Sequence, residues 1–264
     1  MIRREFITLL GGVAAAWPLG ARAQEKGKIW RMGFIARGHE TFYDALFESL
    51  GKLGYAEGRN LIVERRYAGD RTERFQEFAA EMVRLNVDII IVVTTPAALA
   101  IKRATTTIPV VFPNAINPVE TGVVASLAHP GGNVTGGAAQ TAVLSAKRLE
   151  ILKEVVPRLS REAVLWNATN PALAFAWRET QGAARALGVT LQPHEARDLK
   201  DIEAAFATMD QERPDALLVL QDALTLQHRQ EIIDFTIQKR VTGHFCSEGM
   251  GTSRRSDVLW GEPS

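Results

Sequence analysis

Cysteine is almost absent from this sequence, which has Cys246 as its single example among 264 residues. One cysteine excludes a disulfide within the chain, so burial of apolar side chains must hold the fold together. An excess of charge of one sign is absent as well, because 31 basic residues face 30 acidic ones and the formal net charge is +1. Proteins that bind nucleic acid usually present a basic surface, so the composition argues against a nucleic-acid partner.

Long apolar runs are also missing, with one short exception near the N-terminus. The 15 residues 6–20 carry no charge, which is too few for a membrane-spanning helix of about 20 residues. Two arginines precede this run, and Ala21-Arg22-Ala23 follows it. A positive start, a short apolar stretch and an A-x-A site are typical of a secretory signal peptide. We therefore predict cleavage after Ala23, export to the periplasm and a soluble mature chain.

The export route is defined less sharply by the same residues. Arg3 and Arg4, followed by Phe6, resemble a twin-arginine signal. Ile2 stands where that signal usually has serine or threonine, and Thr8 stands where lysine is common. We favour the twin-arginine route, and the general route stays open. A buried N-terminal helix or a membrane anchor is the structural alternative to a signal peptide.

Strand-like and helix-like patterns alternate after the signal. Apolar residues recur at helical spacing between short β-like segments. Residues 88–93 are almost continuously apolar, which is typical of a strand buried on both faces of a parallel sheet. The predicted strands of this half are residues 29–36, 61–67, 88–93 and 108–112. This alternation predicts a doubly wound α/β lobe, which we place at residues 24–138.

The same pattern then starts again. Predicted strands at residues 163–166, 189–192 and 215–220 alternate with helices. Leu53-Gly54 corresponds to Leu187-Gly188, and Asp88 corresponds to Asp215. A repeat of this length indicates two similar lobes rather than a solenoid. We place the second lobe at residues 139–240, after a hinge that the turn-rich residues 130–137 approach.

Ligands of open α/β sheets bind beyond the carboxyl ends of the strands. In this chain the predicted strand ends carry mostly short polar side chains, and the candidate ligand-binding residues are Ala36, Arg37, Thr94, Thr95, Asn117, Asn167 and Asp222. Most of them stand just before a helix, whose N-terminus attracts a carboxylate. Asn117 and Asp222 offer acceptors for an amine, so the set predicts a small polar or zwitterionic ligand. A helix cap is the alternative role for each polar residue.

Motifs of catalysis are missing. The sequence has no G-x-G-x-x-G after its first strand, no G-x-x-x-x-G-K-[ST] phosphate loop and no G-x-S-x-G elbow. Its five histidines lack the spacing to carboxylates or to Cys246 that a metal site needs. We therefore expect a protein that is not an enzyme, with no catalytic residue, cofactor or metal. An exported α/β enzyme is the alternative of a different class.

Several sequence blocks resemble one known family. Leu53-Gly54-Tyr55, residues 108–112, Asn117-Pro118-Val119 and residues 130–136 (PGGNVTG) are similar to motifs of the tryptophan-binding-like ABC transporter substrate-binding proteins. The resemblance covers roughly residues 1–240. It implies a type I periplasmic-binding-protein fold and a monomer that delivers a small molecule to an ABC permease in the inner membrane. It also implies that the seven candidate residues line the cleft that holds the ligand.

One departure from the family pattern concerns the expected ligand. The family usually has Asp-Pro-Val where this chain has Asn117-Pro118-Val119, which removes a negative charge that could pair with an amine.

An exported sensor of the same fold, reporting to a signalling partner, is the functional alternative. A repressor of the LacI type shares the fold but needs a helix-turn-helix where this chain has its predicted signal peptide.

The C-terminal segment also departs from the family pattern. Residues 241–264 mix Gly, Ser and Arg without an apolar face, although the second lobe has only three predicted strands by then. One choice of codons for residues 241–262, read one base later, encodes LPAIFAQREWVRAGGLMSYG, which resembles what the family carries next. We therefore interpret residues 241–264 as a non-native, disordered tail that follows a one-base insertion, or a sequencing error, just after the Arg240 codon, and the second lobe as incomplete. The strand at residues 217–220 is then expected to expose an unpaired apolar edge.

Overall fold

The computed structural model describes residues 28–139, 141–239, 241–245 and 259–260. The predicted signal peptide lies outside these residues, and so does most of the segment that follows Arg240. Within the described ranges, no helix combines the length and the apolar character that crossing a membrane requires.

The first lobe is built on five parallel strands. Its elements are β1 (Trp30–Ala36), α1 (Phe42–Lys52), β2 (Leu61–Tyr67), α2 (Arg74–Arg84), β3 (Ile89–Val92), α3 (Thr95–Ala104), β4 (Val110–Ile116) and β5 (Val134–Ala139). The strand order is β2-β1-β3-β4-β5, and every pairing is parallel. This order starts inside the sheet and runs outward on both sides, so the predicted doubly wound lobe is confirmed.

The second lobe repeats this arrangement. Its elements are α4 (Thr141–Val155), β6 (Arg161–Asn167), α5 (Leu173–Leu187), β7 (Thr190–Ala196), α6 (Leu199–Glu212), β8 (Ala216–Val219), α7 (Ala223–Gln227), α8 (Arg229–Lys239), β9 (Thr242–Phe245) and β10 (Leu259–Trp260). The strand order β7-β6-β8-β9-β10 matches that of the first sheet. The last strand differs, because β10 runs antiparallel to β9.

Helices cover both faces of each sheet. In the first lobe, α2 and α3 pack on one face through Phe75, Met82 and Ile101, while α1 packs on the other. In the second lobe, α6 and α8 cover one face, and α4 and α5 cover the other. Burial from two sides explains why β3 and β8 are continuous apolar segments in the sequence.

The paired aspartates of the sequence repeat perform the same task in both lobes. Asp88 Oδ2 accepts a hydrogen bond from the backbone N–H of Arg31 at 2.8 Å. Asp215 Oδ2 accepts one from the backbone N–H of Arg161 at 2.9 Å. Each aspartate precedes the third strand of its lobe and binds the beginning of the first strand. The repeat in the sequence therefore reflects a shared way of fixing the register of β3 on β1 and of β8 on β6.

The prediction that residues 217–220 expose an unpaired edge is wrong. Strand β9 pairs in parallel with β8, from Ala216 opposite Thr242 to Val219 opposite Phe245. Backbone pairing needs only a short extended segment, and Gly243 leaves room for Thr236 of α8 on its face of the sheet. The proposal that residues 241–264 are not the family's own sequence stays a prediction, since residues 246–258 and 261–264 lie outside the described ranges.

We expect Gly136→Ala to destabilise the chain by about 2 to 3 kcal/mol, as overpacking of a rigid interior does. Gly136 lies in β5, where β4 approaches so closely that a Cβ atom would overlap the carbonyl oxygen of Phe112. Backbone atoms at this position have no rotamer to change, so the strands must move apart. Urea unfolding monitored by circular dichroism measures the change.

A matched control for this substitution is Gly182→Ala on the exposed face of α5. A Cβ atom there meets no described atom within 4 Å, and alanine favours a helix by about 0.5 to 1 kcal/mol over glycine. The control is therefore expected to raise the unfolding midpoint slightly. Equal midpoints for the Gly136 variant and the wild-type chain would contradict the expected clash.

Candidate functional site

The carboxyl ends of the two sheets face each other and touch. Asn117, which follows β4, donates from Nδ2 to the carbonyl oxygen of Ala172 before α5, at 3.3 Å. Arg37, which follows β1, donates from Nη2 to the carbonyl oxygen of Arg197 beyond β7, at 3.0 Å. Asn117 and Arg37 therefore lie at the interface of the two lobes, where the parallel strand order was expected to bring them.

Asp222 is the buried acid of the second lobe. It caps α7, because Oδ1 accepts hydrogen bonds from the backbone N–H groups of Leu224 at 2.9 Å and Thr225 at 3.2 Å. Oδ2 accepts from Nδ2 of Asn167 at 2.6 Å and from Nδ2 of Asn170 at 3.5 Å. Burial raises the pKa of Asp222, although the Asn167 hydrogen bond and the charge of Arg37 act in the opposite direction.

These four donors occupy the lone pairs that a carboxylate offers. Asn167 is engaged in turn, because its Oδ1 accepts from the backbone N–H of Thr169 at 2.9 Å and from its hydroxyl at 2.7 Å. The hydrogen bonds that cap α7 and those that link Asp222 to Asn167 at the cleft thus form one network. A ligand that contacts Asp222 must replace one of its present partners, and the long bond from Asn170 is the weakest of them.

Arg37 is the buried cation at the same interface, with only 3% of its surface exposed. Its Nη2 also donates to Asp70 Oδ1 at 2.8 Å, while its Nε finds no acceptor among the described residues. A buried, unpaired N–H of a guanidinium suits an anionic oxygen. The neighbouring Ala36 contributes no side chain to the cleft, because it packs against α1 in the core of the first lobe.

The two threonines after β3 bind backbone groups of the first lobe, one at the start of α3 and the other at the end of β4. Thr94 caps α3 by accepting a hydrogen bond from the backbone N–H of Ala97 at 3.3 Å. Thr95 does not cap this helix; its hydroxyl oxygen accepts a hydrogen bond from the backbone N–H of Ile116 at 3.2 Å. The helix begins one residue earlier than its proline suggests, so Pro96 follows the first helical residue.

Asn117 has a role that aspartate could not fill. Its backbone is left-handed, with φ of 46°, a conformation that asparagine tolerates better than most residues. Its amide donates to a carbonyl oxygen of the opposite lobe, whereas an ionised carboxylate has no hydrogen to donate. The departure from the family's usual aspartate therefore replaces a charge in the cleft with a direct contact between lobes.

A second polar group at the interface was not predicted from the sequence. His228 Nε2 lies 3.6 Å from Asp70 Oδ1, and Gln227 Oε1 lies beside Gly38. Asp70 lies in the loop after β2 and Gly38 in the loop after β1, while Gln227 and His228 lie at the junction of α7 and α8. An aspartate just beyond a strand end was the only available signal, and nothing local to His228 indicates a partner in the other half of the chain.

Comparison with protein families gives one match that spans both lobes. The model described as "ABC transporter substrate binding protein" matches residues 37–249. Among curated proteins, the tyrosine-binding protein of Clostridioides difficile strain R20291 is 32% identical over 122 residues, which is 46% of this chain and 35% of that protein. The aligned part thus spans about a third of the relative's length.

Solved structures share the fold. A conserved domain protein from Vibrio cholerae superposes with a TM-score of 0.73 and 24% identity, covering 83% of this chain and 74% of that one. The ABC domain in complex with L-Trp from Streptococcus pneumonia gives a TM-score of 0.72 with 18% identity, covering 84% and 75%. At these identities the likeness establishes the fold, which is that of the type I periplasmic binding proteins.

Proposed function

Because the chain belongs to the family of ABC transporter substrate-binding proteins, we propose that it is the extracytoplasmic solute-binding component of an ABC importer. It would capture a small molecule between its lobes and, as a monomer without a catalytic step, deliver it to a permease in the inner membrane. The observation that carries the proposal is the meeting of two doubly wound lobes along a polar interface. Arg37, Asn117, Asn167 and Asp222 lie on that interface.

The proposed ligand is small and polar or zwitterionic, resembling an amino acid. The free Nε of Arg37 offers a donor for a carboxylate, and Asp222 offers negative charge for an amine at the opposite lobe. The tyrosine-binding relative and the neighbour solved with L-Trp support this ligand class. Thr94 and Asn117 are further proposed contacts, each at the cleft end of its strand.

A thermal-shift screen of the purified chain against amino acids and small carboxylates tests the ligand class. A ligand present at 100 times its dissociation constant stabilises the folded chain by about 2.7 kcal/mol, which gives a measurable rise in melting temperature. Neutral sugars and polyols at the same concentration serve as controls and are expected to give no shift. A rise with sugars alone would contradict the proposed ligand class.

Uptake of the identified ligand by cells tests the importer role. Deleting the gene is expected to abolish high-affinity uptake, and re-expressing it should restore that uptake. Unchanged uptake together with a lost transcriptional response would contradict the importer role and favour a sensor. Conversion of the ligand by the purified chain, followed by nuclear magnetic resonance, would favour an enzyme instead.

Export is proposed to depend on residues 1–23. We expect a reporter fused to residues 1–30 to reach the periplasm, because the positive start and the short apolar run engage an export machinery. Replacing both Arg3 and Arg4 by lysine should stop export if the twin-arginine route is used. A reporter fused to residues 24–30 alone is the control and should stay in the cytoplasm. Export of that control would contradict the assignment of the signal.

A further inference from the structure

Two neighbouring residues of each lobe meet at the part of the interface that lies beyond β1. They are Arg37 and Gly38 of the first lobe, and Gln227 and His228 of the second. Among the described residues, a Cβ atom on Gly38 would meet only the amide of Gln227 within 4 Å, with Oε1 at 3.4 Å. Asp70 joins the same junction, because its Oδ1 lies 2.8 Å from Arg37 Nη2 and 3.6 Å from His228 Nε2.

This junction contains a hydrogen-bond donor and a hydrogen-bond acceptor that are both buried and both unused. Arg37 is 3% exposed, and its Nε–H finds no acceptor among the described residues. The amide oxygen of Gln227 is buried as well, and it receives no hydrogen bond from the described part of the chain. A buried polar group without a partner is costly, so folded proteins usually complete it with water or a ligand. The donor belongs to one lobe and the acceptor to the other.

The two groups place different requirements on a ligand. The guanidinium of Arg37 donates only and carries a positive charge, so it binds an anionic oxygen. The amide oxygen of Gln227 accepts only, so it needs an N–H or O–H group. A plain carboxylate satisfies Arg37 and leaves the amide oxygen unpaired. An acid with an amino or hydroxyl group on the carbon beside its carboxylate satisfies both residues, because it has an anionic oxygen and a hydrogen donor close together.

Asp222 is less available than Gln227 as an acceptor for that donor. Its two oxygens already accept four hydrogen bonds, whereas the amide oxygen of Gln227 accepts none from the described residues. The negative charge of Asp222 attracts an ammonium without contact, since Coulomb attraction acts over a longer range than a hydrogen bond. A neutral α-hydroxyl group therefore separates the contribution of Gln227 from that of Asp222.

We propose that Gln227 is a specificity-determining residue of the cleft, whose amide oxygen accepts a hydrogen bond from the α-amino or α-hydroxyl group of an acid bound by Arg37. The inference rests on the proposed function, because it assigns a contact within that binding cleft. It narrows the ligand class from small polar or zwitterionic molecules to α-amino and α-hydroxy acids. A binding site that is built to pair a donor of the ligand rejects the analogue that lacks this donor.

Isothermal titration calorimetry with three series of related acids tests the proposal. Each series has one side chain, that of tyrosine, tryptophan or leucine. It comprises the L-amino acid, the matching α-hydroxy acid and the matching acid without an α-substituent. In a series that binds, the wild-type chain should bind the α-hydroxy acid about tenfold more tightly than the unsubstituted acid. The Gln227→Met variant keeps the shape of the side chain without its amide, so it should lose this preference and keep its affinity for the unsubstituted acid.

Gln192→Met is the matched control. Gln192 also has a buried amide oxygen without a partner among the described residues, but it lies near the start of β7, opposite Ala163 of β6. Its variant should keep the wild-type preference for the α-hydroxy acid. An equal loss of preference in both glutamine variants would overturn the assignment to Gln227.

Gly38→Ala provides a second route to the same contact. The backbone of Gly38 is not left-handed, so alanine fits there, and its methyl group would lie 3.4 Å from Gln227 Oε1. This methyl group covers the amide oxygen and should also abolish the preference for the α-hydroxy acid. The variant keeps the test decisive if Gln227→Met does not fold.

Urea unfolding of the ligand-free Gln227→Met variant separates a ligand contact from a structural role. Replacing an unpaired buried acceptor by an apolar group removes a cost, so the variant should unfold at the wild-type urea concentration or above it. A lower unfolding midpoint would show that the amide is hydrogen-bonded within the folded chain, and it would overturn the proposal.

The binding results distinguish this inference from the proposed function. If the wild-type chain binds an acid but does not prefer the α-hydroxy form, Gln227 has no role in specificity and the proposed function stands. The same conclusion follows if the folded Gln227→Met and Gly38→Ala variants keep the full preference, because water then satisfies the amide. If no acid of any series binds the wild-type chain, the proposed function fails, and the ligand assigned to Gln227 fails with it.

Discussion

Glu162→Gln is expected to make the chain about 5 kcal/mol more stable than the wild type at pH 8, and to leave its stability nearly unchanged at pH 4. Glu162 lies in β6 with none of its surface exposed. In the described part of the chain, neither of its carboxyl oxygens has a hydrogen-bond partner. It is opposite Leu191 and Ala216 in register, and both pack in the apolar cluster under α4 and α5.

The direction of this stability change follows from the ionisation of Glu162 in the folded and in the unfolded chain. Burial raises the pKa of Glu162 from its ordinary value of 4.5 to about 8. Below pH 4.5 the carboxyl group is protonated in both the folded and the unfolded chain. As the pH rises, the unfolded chain loses this proton first, so the free energy of unfolding falls until the folded chain also ionises near pH 8.

The difference between 4.5 and about 8 corresponds to about 5 kcal/mol. Glutamine has a similar shape and no charge at any pH, so the variant escapes this loss. Urea unfolding at intervals between about pH 4 and pH 8.5 gives the free energy of unfolding at each pH. The wild-type value should fall with pH more steeply than that of the variant. Glu195→Gln, on the exposed side of the neighbouring β7, is the control and should keep the wild-type slope. Parallel curves for the Glu162 variant and the wild type would show that Glu162 is hydrated or paired.

Asp222→Asn is expected to lower the affinity for the identified ligand by about 10- to 100-fold, which corresponds to the loss of one charge-assisted hydrogen bond. The same change should destabilise the second lobe by about 3 kcal/mol. The reason lies in the pairing with Asn167, whose Nδ2 donates to Asp222 Oδ2 at 2.6 Å. An amide at position 222 would place one donor against another.

A double variant separates binding from folding. Combining Asp222→Asn with Asn167→Asp reverses the hydrogen bond, because the carboxylate then lies on β6 and accepts from the new amide at position 222. The cap of α7 and the bonds from Thr169 retain an acceptor, so most of the lost stability should return. Calorimetry on this restored variant then reports binding alone.

The outcome of the double variant is decisive for the role of Asp222. If the carboxylate at position 222 contacts the ligand, affinity stays low although the fold is restored. Recovery of wild-type affinity would show instead that Asp222 acts as a helix cap and that ligand contacts lie elsewhere.

Much of the architecture was determined by the sequence itself. Continuous apolar segments at β3 and β8, the repeated aspartates Asp88 and Asp215 and the turn-rich approach to β5 predict two lobes of one design. The strand order then places the candidate residues at one edge of each sheet, because crossovers between parallel strands carry every carboxyl end to the same side. Local hydrophobic periodicity and the right-handedness of the crossovers are sufficient to predict the two lobes and the common side of their strand ends.

The tertiary structure alone decided which groups are partners. Asp70 and His228 belong to different halves of the chain, and only the docking of the lobes brings them to 3.6 Å. Glu162 resembles any polar residue at the start of a strand, and its isolation depends on the helices that cover it. The short β9 pairs with β8 although its sequence has no clear strand pattern. In each case the deciding interaction joins residues far apart in sequence, where periodicity and propensity carry no information.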